Sequence, residues 1–113
     1  MTLPLYLGLP MWANQDWLGN LYPRHAKTEL LSDYAAVFSS VEGNTTFYSG
    51  TPKPDTIAAW ARQAPSHFRF CFKLPASVTH DQRLTRLEEA WAFLAALEPL
   101  HDRLGPTMVQ LQR

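Results

Sequence analysis

Hydrophobic and polar positions along the chain change period several times, and each change marks an expected element. Residues 3–10, LPLYLGLP, form a compact apolar run and predict a short buried strand over 3–9. The segment 11–24 has no period and is punctuated by Gly19 and Pro23, so it reads as a loop, although it carries Trp12, Trp17 and Tyr22. Over 27–40, Leu30, Leu31, Tyr34, Val37 and Phe38 recur at spacings of three and four, the stripe of an amphipathic helix, with Thr28 or a neighbour as its cap. Alternation then predicts a strand over 41–48, with Glu42, Asn44, Thr46 and Tyr48 on one face and Val41, Gly43, Thr45 and Phe47 on the other.

The second half repeats the alternation. A helix is expected over 55–64, stopped by Pro65, with Ile57, Trp60 and Ala61 buried. FRFCFKL, 68–74, is the plainest strand: Phe68, Phe70, Phe72 and Leu74 share one face and Arg69, Cys71 and Lys73 the other. Thr79-His80-Asp81 falls in the next loop. Thr85 and Glu88 have the spacing of a capping box and open a long helix with a Leu87, Trp91, Leu94, Leu97 stripe. Pro99 starts a short last turn ending at Gly105-Pro106, and 107–111 is a fourth strand. Strand and helix alternate throughout, which predicts an α/β fold with parallel strands and right-handed crossovers in one domain over 1–113.

Composition narrows the function classes. Of 113 residues 46% are hydrophobic, and ten basic side chains balance ten acidic ones, so the chain lacks the broad positive field of a protein that grips phosphates without specificity. A single cysteine, Cys71, excludes an intrachain disulfide and a multi-cysteine zinc site, and is expected to be a small buried hydrophobe. No apolar run reaches the roughly 18 residues of a membrane span, and the first residues lack a signal peptide's pattern. A soluble cytoplasmic protein without membrane contact is the expectation.

Gly8, Trp12, Trp17, Gly19, Tyr22 and Pro23, followed by Tyr34 and Phe38, VEGNTTFY at 41–48, and Trp60, Pro65, Phe68, Phe70 and Lys73, form an ordered set that ends in Thr79-His80 and LGPTMVQL. In this set the chain resembles the N-terminal half of the domain of unknown function 72 family, over essentially its whole length. The chain departs from the family at Gly43, where the family has an apolar residue, and at Gln112-Arg113, where it has two prolines. The resemblance implies half of a TIM-like (β/α)8 barrel, because a complete barrel takes about 250 residues. It carries no established activity.

A barrel places reactive groups at the C-terminal ends of its strands and apolar side chains toward its helices. Arg69, Cys71 and Lys73 then face the lumen with Lys73 at the rim, and Glu42, Asn44, Thr46 and Tyr48 join them from the neighbouring strand. Glu42 beside Lys73 is either a charge-satisfying pair or a poised catalytic one. His80 is a candidate general acid or base, or a loop hydrogen-bonding residue. His25, His67 and His101 read as surface residues, and Trp60 and Trp91 as core. Glu42 with His80 supplies at most two metal ligands, so no metal site is expected, and the cofactor stays open.

Trp12 and Trp17 either plug the barrel mouth or form a stacking wall for a sugar or base, with Arg24, Arg69 and Lys73 free to take a phosphate. Three readings follow. The first is a hydrolase or isomerase on a phosphorylated sugar or nucleic-acid end, with Glu42, Lys73 and His80 catalytic and Asn44 and Tyr48 binding. The second is a noncatalytic module that holds carbohydrate or single-stranded nucleic acid through Trp12 and Trp17; the neutral charge weighs against a large nucleic-acid footprint. The third is a half-barrel inactive alone, which self-associates or pairs with a complementary half because its edges and lumenal face are uncovered.

Overall fold

A computed structural model describes residues 5–24, 30–81, 83–85 and 87–111. Residues 3 and 4 of the expected first strand, the Thr28 cap and His25 lie outside the described residues; residues 5–7 of that expected buried strand are instead exposed and irregular, leaving the strand to residues 8 and 9. Strands β1 (Gly8–Leu9), β2 (Ser40–Gly43), β3 (Arg69–Lys73) and β4 (Leu104–Met108) form one sheet in the order β1-β2-β3-β4, every neighbouring pair parallel. Helices α1 (Leu30–Ala35), α2 (Thr45–Ser49), α3 (Pro54–Gln63) and α4 (Glu88–Ala96) lie between them. The alternating order of strands and helices is that of half a (β/α)8 barrel.

The helix-facing side of the sheet is an aromatic stack. Phe68, Phe70 and Phe72 are fully buried, with Phe70 parallel to Phe72 at 5.7 Å and Trp60 of α3 stacked on Phe72 at 5.5 Å. Pairs of this kind contribute about 0.5–1.5 kcal/mol each beyond their buried area. The Phe72 ring occupies the space that a side chain at position 43 would need: a Cβ on Gly43 would approach it to 2.7 Å. That contact accounts for a glycine at position 43. The opposite face of β3 carries half-buried Arg69, Cys71 and Lys73, as its alternation predicts.

Side-chain hydrogen bonds lock the layers. The buried Tyr34 hydroxyl donates to the Ser40 carbonyl at 2.7 Å and accepts from the Leu9 amide at 2.7 Å, tying α1 to both β1 and β2. The Arg103 guanidinium donates to the Ala61 and Ala64 carbonyls at 2.5 and 2.7 Å, supplying partners that the C-terminal end of α3 lacks within the helix.

Several boundaries differ from the sequence expectation. β2 ends at Gly43, and residues 45–49 turn into α2 instead of continuing the strand to 48. A short run of alternating Thr and aromatic residues is compatible with either state; Gly50, at φ +82°, ends the helix in a geometry that glycine adopts freely. β4 starts at Leu104, and Gly105-Pro106 lie within it. Opposite the Phe70–Phe72 step, β4 takes three residues from Leu104 to Thr107, a bulge at the outer strand, where a proline without an N–H is tolerated. On α4 the buried positions are Ala90, Phe93 and Leu97, while Leu87 and Trp91 are exposed, Trp91 at 68%. Trp91 is therefore not core, nor is Val37, which lies beyond the end of α1. Leu87, not Thr85, takes the capping position of α4, so the capping box does not form.

Candidate functional site

The C-terminal ends of β2 and β3 bring two of the expected polar residues, Glu42 and Lys73, to one rim. In the parallel register Glu42 lies opposite Cys71, and its Oε1 is 4.0 Å from the Lys73 ammonium, both side chains being partly withdrawn from water. Burial pushes the Cys71 thiol up, and the Glu42 charge adds to that shift, so Cys71 stays a neutral wall of the lumen. The junction is fixed by Thr46, which is buried and whose hydroxyl lies 3.0 Å from the carbonyls of both Gly43 and Lys73.

The turn into α2 then rotates Phe47 onto the site. Its ring faces the Lys73 ammonium at 5.4 Å and meets the His80 imidazole edge-on at 5.1 Å. His80 is carried on a π-helical turn, Ser77–Asp81, with Nδ1 2.8 Å from the Thr79 hydroxyl. The Ser77 hydroxyl donates to Glu89 Oε1 at 2.5 Å, anchoring this turn to α4. Lys73 and His80 thus share one aromatic neighbour, and Glu42 pairs with Lys73. Phe47, read from alternation as outward-facing, is the residue that sequence reasoning missed. The one signal was Asn44, a residue type depleted in strands and common at a helix start.

The remaining expected residues are placed differently. Tyr48 lies on the solvent side of α2, 83% exposed, and not on the lumenal face, because helical rotation separates it from Glu42 and Asn44. Trp12 turns toward the helix layer, edge-on to Trp60 at 5.4 Å and to Phe70 at 6.4 Å, and its carbonyl accepts from the Tyr22 hydroxyl. Trp17 packs against Tyr22 at 5.9 Å. Arg69 starts β3, about 13 Å of strand rise from Lys73, where it donates to the Ser66 and Phe68 carbonyls. Arg24 is exposed and lies against Gly19 in the loop after β1. His67 and His101 are exposed. Among the described residues no three of His, Cys, Asp or Glu converge on a common point that would hold a metal ion.

Asn44 lies at the end of β2. Its Nδ2 donates to the Pro10 carbonyl at 3.4 Å, while its Oδ1 is buried without a hydrogen-bond partner. Residues 43–45 and 10–13 enclose a cleft of about 160 Å³ beside it. A second, open cavity of about 490 Å³ lies on the lumenal side, along Tyr6, Gly8, Ser40, Glu42, Cys71 and Met108.

Comparison with known proteins places this arrangement in context. Residues 6–113 match the family described as Protein of unknown function DUF72. UPF0759 protein YecE of Escherichia coli (strain K12) is 39% identical over 108 residues, which make up 95% of this chain and 37% of that protein. The crystal structure of a DUF72 family protein from Thermotoga maritima superimposes with a TM-score of 0.74 at 34% identity, covering 95% of this chain and 44% of that one. One from Enterococcus faecalis gives 0.66 at 26% identity, covering 94% and 39%. The chain spans less than half the length of each of these relatives.

Proposed function

We propose, since the chain belongs to the DUF72 family, that the C-terminal rim of its half-barrel is an acid–base site for a phosphorylated sugar or a nucleic-acid end, serving a hydrolase or an isomerase. The observation that carries this reading is that Phe47 contacts both the Lys73 ammonium and the His80 ring, while Glu42 pairs with Lys73. At 4.0 Å the Glu42–Lys73 pair is loose, which leaves ammonium protons able to meet a phosphate oxygen. The Glu42 carboxylate holds the ammonium on the rim, and is a base for a proton next to the bound anion.

His80 has one ring nitrogen engaged by Thr79, and in this reading the other exchanges a proton with substrate. Where the Thr79 hydroxyl donates to Nδ1, Nε2–H is an acid; in the other tautomer Nε2 is a base. Similarity of the barrel to sugar-phosphate isomerases and abasic-site endonucleases supports the substrate class by fold analogy alone. The test is Glu42→Gln and Lys73→Met, made separately and screened for phosphoester hydrolysis, sugar-phosphate isomerisation and ligand binding. A loss of at least tenfold in either variant is expected. Binding and turnover unchanged in both would remove the proposal.

Two parts of the setting belong to the same reading. The single cysteine suits a cytoplasmic location, and no helix among the described residues is long and apolar enough to cross a membrane. The relatives are more than twice as long as this partial fold, and its lumenal face and outer strands are completed by a second half. A second copy of the chain serves as that half when the chain is alone in solution.

A further inference from the structure

We propose that the cleft between the loop after β1 and the β2–α2 junction is a subsite for a hydroxyl-bearing sugar ring, with the Asn44 carboxamide oxygen as its acceptor. The Pro10 carbonyl can only accept, so it holds Nδ2 toward itself and fixes the orientation of the amide. Oδ1 is then a buried acceptor without a donor, a state that folded proteins rarely retain without a functional reason. The usual local donors do not satisfy it. Asn44 stands before the first turn of α2, but at φ −70° and ψ −21° it has helical rather than extended backbone, and its side chain makes no capping bond.

The size and lining of the cleft select the ligand. About 160 Å³ is the share of about five water molecules, room for one pentose or hexose ring and too little for a nucleoside. Met11, Trp12 and Ala13 give it an apolar wall for the C–H face of a ring, and Asn44 takes a hydroxyl proton. Consecutive residues connect the cleft wall to the charged pair along the chain: Thr45 lines the cleft, Thr46 reaches the Lys73 carbonyl, and Phe47 covers the Lys73 ammonium. A sugar seated here presents a phosphate substituent to Lys73. This inference rests on the reading of the rim as a sugar-phosphate site and names the group that holds the sugar.

The test is an NMR titration of the full chain, labelled with 15N, against ribose, inorganic phosphate and ribose 5-phosphate. Ribose is expected to shift the Trp12 indole and Asn44 amide resonances, and ribose 5-phosphate to shift these and the backbone at Lys73. Asn44→Leu weakens ribose at least tenfold, keeps the phosphate response, and holds or raises the thermal midpoint, because an unsatisfied acceptor has been removed. Ala13→Leu, which fills the cleft without touching Asn44, has the same effect on ribose and decides the matter if Asn44→Leu does not fold. Ribose that leaves Trp12 and Asn44 unmoved, or binds both variants as it binds the parent, overturns the subsite. A ribose response without any phosphate response at Lys73 would sink the proposed function and leave the subsite standing; the reverse would sink the subsite alone.

Discussion

Tyr34 shows how much of this fold hangs on single polar atoms. Its ring belongs to the apolar stripe of α1, stacked on Phe38 at 5.0 Å, and that much follows from spacing alone. Its hydroxyl, which joins β1 to β2, does not. Tyr34→Phe leaves the Leu9 amide and the Ser40 carbonyl each short of a partner, and a loss of about 1–3 kcal/mol is expected from urea unfolding. Burial also raises the pKa of two phenols: Tyr34 above its ordinary value, and Tyr22 from 10 to about 12. Below pH 10 both states of the protein keep the Tyr22 proton. As pH rises from 10 through 12 the unfolded chain ionises first, so up to about 2–3 kcal/mol of stability is lost in that window. Thermal midpoints followed into the alkaline range should fall there. A flat profile would show that the Tyr22 hydroxyl is not withdrawn from water.

At the scale of elements, the sequence was most legible where one period held over a whole segment. Alternation in FRFCFKL placed the Phe side chains against helices and Lys73 on the rim, and the parallel register then set Glu42 beside Lys73. It failed at 44–48, where Thr and aromatic residues suit strand and helix alike. The outcome there depends on a tertiary contact, the Thr46 hydroxyl against the carbonyls of Gly43 and Lys73. The same competition moved the buried side of α4 from Leu87 and Trp91 to Ala90 and Phe93. Thr46→Val keeps the shape and removes both contacts. It should cost about 1–3 kcal/mol by leaving buried carbonyls under-satisfied, and it should release α2 so that the Phe47 ring no longer shields Lys73. Ring-current shifts of the Lys73 side-chain protons report that release. Shifts unchanged from the parent would mean that Phe47 is held by other contacts.

For the whole molecule the decisive property is the open sheet. Among the described residues β1 and β4 each have one unpaired side, and exposed apolar side chains lie at both borders: Leu5, Tyr6 and Leu7 before β1, and Met108, Val109 and Leu111 at the end of β4 and beyond it. Because all four strands run parallel, β4 of one copy meets β1 of a second in the polarity a barrel requires. A two-fold axis along the barrel makes the same junction twice and leaves no open edge. Net charge of zero imposes no repulsion between copies. Pro106 in β4 has no N–H to donate. Sedimentation velocity is expected to show dimer forming as concentration rises. Leu7→Lys with Val109→Lys should return the chain to monomer with little change in its unfolding midpoint, since both side chains are already exposed. A parent chain that stays monomeric at high concentration would refute this closure. The rim site would then have to work with its lumenal side open to water, where the Glu42–Lys73 attraction is weakest.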